Sequence, residues 1–374
     1  MGNQEHHYLN VQTYLKKYGI ENLEKDLSIQ YKLYNDVMIL NYNSHESPKF
    51  NPISDECRGL ILDRHNLNVL SKGFKRFYND FEIPDVNKYD FSKAIITEKL
   101  DGTYISVWWD PYNNKWQTST RKCAYNEGTT LNTNKMFKEL VEIAIGDPNV
   151  RFDGMNKDLT YIFELVSPYS RIITPYYNTD MYLLSVIERN IGFEFPFDGF
   201  VKEVAEVLDV ERPKRMSFST LGEIRKTLEE VDTCYEGYVC TFNTNDEGMY
   251  DRVRTKNKRY IEMVVLSEGL TRSNRRIIDN LINGNYIEII EVMPELKKYF
   301  DEAAVAKRRL VEDVERCWEN VKFIEDKGEF ARVVISKYNK YQGFLFGLKN
   351  GKSIDSVLEK MSSKVRANMI GEFL

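Results

Sequence analysis

Cysteines at metal-ligand spacing are missing from this chain. Its five cysteines, Cys57, Cys123, Cys234, Cys240 and Cys317, lie far apart and are odd in number. That excludes a zinc-finger framework and a fully paired disulfide scaffold, and it suits a reducing compartment. No apolar run is long enough to cross a bilayer. His6 stands where a myristoylation signal needs Ser or Thr, and no secretory leader is recognisable. Low-complexity segments and internal repeats are absent too. A uniform basic coat is also lacking, because the formal net charge is −5; a local basic groove would still be enough to hold nucleic acid. The expectation is a soluble protein of the cytoplasm.

What is present is a globular composition, 42% hydrophobic and 29% charged, with 24 Tyr and 20 Phe in 374 residues. That length allows two or three domains. Up to about residue 259 the pattern mixes short helices with period-two strands. Strands are expected at residues 29–33, 37–42, 94–97, 104–109, 116–121, 159–166, 181–188, 236–242 and 250–255, and helices at 11–18, 133–145, 201–208 and 220–230. From Tyr260 the period becomes 3.6. A long helix from Pro294 or Glu295 towards Ile324 carries the apolar stripe Phe300, Ala304, Leu310, Val314, Trp318 and Val321. The expected fold class is α+β: an N-terminal domain with antiparallel sheets over residues 1–259, followed by an all-helical C-terminal domain over 260–374.

The chemistry centres on Thr97-Glu98-Lys99-Leu100-Asp101-Gly102-Thr103. An Asp-Gly pair between two strands reads first as a hairpin turn. That reading leaves Lys99 without a purpose. The sharper one makes Lys99 a covalent nucleophile held at a strand end. A free lysine amine has a pKa of about 10.4, so nearby cations or a bound metal would have to perturb it. Other chemistry-bearing residues follow in order. Arg58 opens a strand in Glu56-Cys57-Arg58-Gly59. Arg76 and Tyr78 belong to a basic and aromatic run, Lys72 to Asn79, suited to phosphate and base contacts. Glu164 interrupts an otherwise apolar strand, which is costly unless the carboxylate is paired, bound to a ligand or facing solvent. Glu236-Gly237 opens a strand, and Arg252, Arg254 and Lys256 alternate along the next one, so they share a face that calls for anions opposite. In the helical part, Arg272, Arg275 and Arg276 and the run Lys307-Arg308-Arg309 read either as solvated faces or as nucleic-acid contacts.

This order of motifs resembles that of covalent ATP-dependent ligases and capping enzymes. Within that nucleotidyltransferase superfamily it is similar to the bacteriophage T4 RNA ligase 1 family over most of the chain. The resemblance rests on Glu56 to Gly59, Arg76 to Asn79, Lys99 to Gly102, Phe163 to Pro168, Arg171-Ile172, Glu236 to Val239 and Arg254 to Lys256. It implies a nucleotidyltransferase domain followed by a helical RNA-specificity domain. The implied activity joins RNA 5′-phosphate and 3′-hydroxyl ends through lysyl-AMP and RNA-adenylate, using ATP and Mg²⁺, in repair of tRNA or other RNA. The implied partners are single-stranded RNA or nicked tRNA ends, with the protein a monomer, in the host-cell cytoplasm if it is phage-encoded. By the same carry-over Lys99, Asp101, Glu236 and Lys256 are catalytic. Arg58, Arg76, Tyr78, Lys99, Gly102, Arg121, Glu164, Arg254 and Lys256 hold the nucleotide, and Glu236 and Glu164 are the metal carboxylates. Arg76, Arg121 and Arg254 stand where the family more often has lysine; arginine keeps the charge but cannot pass a proton. A capping guanylyltransferase, a DNA ligase and an inactive RNA-binding relative are the alternatives. The first two usually carry an OB-fold domain where helices are read here.

Overall fold

The computed structural model describes residues 9–130, 133–244, 248–267, 270 and 273–374. The chain divides into two compact units, Met1–Ile261 and Glu262–Leu374.

Among the described residues the first unit holds three sheets. One is an antiparallel meander of β1 (Ile29–Leu33), β2 (Val37–Tyr42), β3 (Arg58–Asp63) and β4 (Val69–Ser71). Of the strands that follow, β5 (Tyr78–Asn79) and β6 (Ile95–Glu98) belong to the third sheet, whereas β7 (Thr103–Asp110), β8 (Lys115–Ser119), β9 (Leu159–Val166) and β10 (Asp180–Glu188) build the second, in the order β10-β9-β7-β8. The third sheet runs β11 (Arg215–Met216), β6, β12 (Gly237–Asn243), β13 (Tyr250–Lys256), β5. All pairings are antiparallel except β5 with β13, which is parallel. Since β6 and β7 belong to different sheets, Asp101-Gly102 is no hairpin tip. The segment carrying Lys99 crosses from one sheet to the next.

Alternation explains the packing. On β7, Ile105 and Val107 enter a core built with Phe163, Leu165 and Leu183 and covered by helices Phe137–Ile145 and Phe200–Leu208. Trp108, on the opposite face, packs on the first sheet beside Val37, Ile39 and Ile61, with its indole N–H on the carbonyl of Ala124 at 3.3 Å. In the third sheet, Tyr238, Cys240 and Val253 point into a core with Ile224 and Leu228 of helix Leu221–Glu230. The other face of β12 and β13 carries Val239, Thr241, Arg252, Arg254 and Lys256, so the cations do share a side. In β10 the register shifts between Leu183 and Ser185, leaving Leu184 as an extra residue. Such a bulge re-aims side chains, and both Leu184 and Ser185 line the cavity described below.

The second unit is helical. Its helices include Asn274–Ile282, Tyr286–Val292, Lys297–Glu319, Lys327–Lys337, Gln342–Lys349, Ile354–Lys360 and Ser363–Gly371. The long helix is shorter than the stripe predicts. It is preceded by a 3₁₀ turn at Pro294–Leu296, and it stops before Asn320, whose side-chain amide turns back to the carbonyl of Arg316 at 3.0 Å. Asp279 joins two helices by accepting from Arg366 Nε at 2.7 Å and from the Ser363 hydroxyl. Of the basic clusters, Arg272 lies outside the described residues; Arg275 donates to Ser363 at 2.6 Å, and Lys307 pairs with Asp355 at 2.7 Å. No helix among the described residues is long and apolar enough to cross a membrane.

Candidate active site

Lys99 sits at the end of β6, where its backbone N–H donates to the carbonyl of Gly237 at 2.8 Å. This ties the nucleophile candidate to the start of β12. Its amine reaches Glu236 Oε2 at 2.9 Å, and Lys256, at the end of β13, reaches Glu236 Oε1 at 2.6 Å. One carboxylate therefore serves two ammonium groups, each oxygen taken by one of them. Glu236 is 5% exposed. Burial pushes its carboxyl up, but Lys99 and Lys256 outweigh that and hold it below the usual carboxylate range. Burial lowers the Lys256 amine, against the pull of Glu236.

Gly237 makes this crowding possible. Its φ is 145°, and a Cβ there would collide with the backbone carbonyl of Thr255. Gly102 is required for a similar reason: a Cβ would strike the carbonyl of Leu165 and come within 3.0 Å of Glu164 Cγ. Asp101 is buried and fully engaged. Its Oδ2 accepts from the backbone N–H groups of Ile173 (2.9 Å) and Thr174 (2.8 Å), and its Oδ1 accepts from the Tyr260 hydroxyl at 2.7 Å. Asp101 thus braces the loop that presents Lys99, while its own oxygens are committed to that bracing.

Lys99 opens onto a cavity between the second and third sheets. Glu164, Leu184 and Ser185 line it from one side; Thr97, Val239 and Arg252 line it from the other. Arg58 closes one end, its guanidinium carbon 4.9 Å from the Tyr104 ring centroid and 5.2 Å from that of Phe77. Its Nη1 is buried without a hydrogen-bond partner. Burial and then the neighbouring charge of Arg121 lower its pKa. A buried guanidinium donor left open is expensive unless an anion meets it. Glu164 is raised to about 7, chiefly by burial and against the pull of Lys99. Burial also pushes up the hydroxyl of Tyr42, yet Arg58, Arg121, Arg254 and Arg76 outweigh it and bring the group below its ordinary value. The region holds a strongly positive field, suited to a polyphosphate.

The structure brings Lys99, Glu236, Lys256, Glu164, Gly102 and Arg58 together. Arg121 is exposed, and its charge is felt at Arg58 and Glu164. Arg254 faces Asn79 Oδ1 at 2.8 Å and Glu82 at 3.7 Å. The anions opposite the β13 cations are thus protein side chains: Glu194 for Arg252, Glu82 for Arg254 and Glu236 for Lys256. Arg76 and Tyr78 are not brought to the cavity. They line a separate groove, and Phe74 and Phe77 are the cavity residues of that run. Strand parity explains it: β5 pairs Asn79 with Arg254, so Phe77 shares the pocket face and Tyr78 the opposite one. Sequence reasoning also missed Tyr260 and Tyr42. Tyr260 follows the strand residue Lys256 by four positions, on the helix Lys258–Ser267, and no local signal marks it.

Among the described residues no group of three or more His, Cys, Asp and Glu side chains is placed to hold a metal ion. Glu164 and Glu236 are the predicted carboxylates near Lys99, and Glu98 and Glu194 also line the cavity. A hard cation bound by one or two carboxylates completes its shell with water and phosphate oxygens, and these residues fit that kind of site.

A family model described as RNA ligase matches residues 56–260. Among curated proteins, the chain is 26% identical over 313 residues to a protein of Autographa californica nuclear polyhedrosis virus named as a bifunctional polynucleotide kinase/RNA ligase, covering 77% of this chain and 42% of the viral one. It is 26% identical to a Thermovibrio ammonificans protein named as an RNA ligase, covering 55% and 52%. It is also 26% identical to an RNA ligase of Rhodothermus phage RM378, covering 68% and 69%. The chain therefore spans about half the length of the first two relatives. The family match takes in Arg58, Lys99, Glu164, Glu236, Lys256 and Tyr260 and extends over more than half of the sequence: the chain belongs to the T4-type RNA ligase family.

Proposed function

We propose that this protein is an ATP-dependent RNA ligase that works through a lysyl-AMP intermediate on Lys99. The observation that carries the reading is the Lys99–Glu236–Lys256 arrangement at the mouth of a cavity closed by Arg58. In the first step Lys99 Nζ, as the free amine, attacks the α-phosphorus of ATP; an N–P bond forms, the P–O bond to pyrophosphate breaks, and pyrophosphate leaves. Glu236 Oε2, 2.9 Å from the amine, is placed to take its proton. Lys256 and Arg58 stabilise charge on the phosphates, and Arg121 and Arg254 extend the cationic field. A bound divalent ion, Mg²⁺ in this reading, would supply further charge neutralisation at the phosphate, with Glu164 and Glu236 as its protein ligands. AMP then passes from Lys99 to an RNA 5′-phosphate. Attack by an RNA 3′-hydroxyl forms the phosphodiester and releases AMP.

Asp101 acts here as a brace for the Lys99 loop, and Gly102 as the residue that lets β9 approach it. The unit Met1–Ile261 is the adenylyltransferase part, and the helical unit is assigned to recognition of single-stranded RNA or nicked tRNA ends, in RNA repair. The test is the intact mass after incubation with ATP and Mg²⁺. Wild type should gain the mass of one AMP, and Lys99→Ala should not. An adduct on both proteins would mean another lysine is the nucleophile, and an adduct with GTP but not ATP would mean a capping enzyme.

A further inference from the structure

The run around Arg76 and Tyr78 builds a column of stacked groups rather than a nucleotide pocket. The guanidinium carbon of Arg76 lies 4.3 Å from the ring centroid of Tyr42 and 5.2 Å from that of Tyr78. The ring of Tyr78 stacks on Phe50, centroids 4.2 Å apart and planes 30° from parallel. The first layers are buried, but Phe50, which ends the column, is 47% exposed.

Phe50 is held in place at a conformational cost. Its φ of 56° is left-handed, which a bulky residue seldom adopts. Its N–H donates to the Tyr78 hydroxyl at 2.7 Å, and that hydroxyl in turn donates to Asp55. Arg76 fixes the loop leading to Phe50 by donating to the carbonyls of Ser47 (3.2 Å) and Ser44 (3.4 Å). A ring that merely filled space would be turned inward. This one is propped outward with its open face to water.

The groove beside it contains Lys75 and Lys88, both exposed. It also contains four carboxylates, of which Asp55 accepts from Tyr78, Glu56 from Asn10 and Val11, and Asp251 from Tyr89. Phe77, Tyr250 and Arg252 line both this groove and the Lys99 cavity, so one wall separates the two.

We propose that Phe50, with Lys75 and Lys88, is a stacking site for an unpaired base of the RNA strand whose end is being joined. The inference rests on the ligase reading for the identity of the strand. Three features select a nucleic acid single strand: an exposed aromatic face on a rigid column, lysines for its phosphates, and a wall shared with the reaction cavity. Stacking on one ring tolerates any base, so no sequence preference is expected. Arg76 and Tyr78 are positioning residues for Phe50.

The experiment is fluorescence anisotropy of a labelled 5′-phosphorylated single-stranded RNA, measured on the full chain without ATP, alongside lysyl-AMP formation by mass. Phe50→Gly removes the ring and relieves the left-handed strain, so misfolding does not explain a loss. It should weaken RNA binding at least about fivefold while lysyl-AMP forms as in wild type. Phe50→Trp should bind as tightly as wild type or tighter. The Lys75→Ala/Lys88→Ala double variant should reduce the slope of log affinity against log salt by about 1.4. Wild-type RNA affinity in Phe50→Gly would overturn the proposal, as would equal weakening in the Gly and Trp variants. Absence of lysyl-AMP in wild type would instead sink the ligase reading, and the anisotropy would still answer for the groove.

Discussion

The two cationic ends of the Lys99 cavity are built on opposite plans. At one end Lys99 and Lys256 share Glu236, so two charges are met by a carboxylate whose oxygens are both used. At the other, Arg58 is boxed by aromatic rings, repelled by Arg121, and keeps a buried Nη1 without a partner. The first end is satisfied at rest and is disturbed only when the lysine reacts. The second is unsatisfied at rest and is completed by whatever anion enters. The proposed reaction, in which a polyphosphate enters and is then attacked, would use both kinds of cation.

The sharpest way to break the first end is Lys99→Ala, which should abolish the AMP adduct altogether in a mass measurement. Glu236→Gln leaves two ammonium groups facing a neutral amide. Lysyl-AMP formation, followed by quenched-flow with labelled ATP, should fall about a hundredfold or more if the carboxylate takes the proton. A fall below threefold would leave Glu236 as a purely structural counter-ion. Arg58→Met probes the other end and should separate stability from binding. Removing a buried unpaired donor should raise stability by about 1–3 kcal/mol in denaturant titrations. ATP affinity by calorimetry should drop about tenfold, as expected for a charge-assisted contact worth about 1.4 kcal/mol.

Lys72 provides the control, a buried cation outside the cavity lining. It is 6% exposed, and burial lowers its amine to about 8. With the folded value below the unfolded one, the unfolded chain binds more protons between about pH 8 and 10.5. The buried charge therefore burdens the fold below pH 8, and the burden lifts as pH rises through that window. Lys72→Met should stabilise by up to about 3 kcal/mol at pH 7 and progressively less towards pH 10, with ATP affinity unchanged. A stability gain that did not depend on pH would show that the Lys72 amine titrates alike in the folded and unfolded chains.

Much of the charged trio was legible because its members announce themselves locally. Lys99 precedes an Asp-Gly step, Glu236 opens an apolar strand, and Lys256 ends an alternating one. The expected fold class follows from the same alternation and its loss after Tyr260. What the sequence concealed depends on pairing between distant strands. Asp101 and Tyr260 meet across the unit, and nothing near either residue predicts it. The bulge at Leu184 breaks the alternation that would have placed Ser185. That Arg76 and Tyr78 line a groove apart from the Lys99 cavity was not legible, because the parity of a two-residue strand is set by its partner, β13. Helix Ile20–Leu27 was missed because Gly19, with φ 79°, ends one helix and begins the next.

The antiparallel register of β12 on β13 pairs Gly237 with Lys256 and Asn243 with Tyr250. The site therefore lies at the open mouth of this ribbon, and the connection over residues 244–249 leaves from the far end. A slip of a single residue between the two strands would be ruinous, since it would exchange Arg252, Arg254 and Lys256 for the buried Val253 and Thr255. The ribbon is in effect a vernier, intolerant of one division's error along its scale.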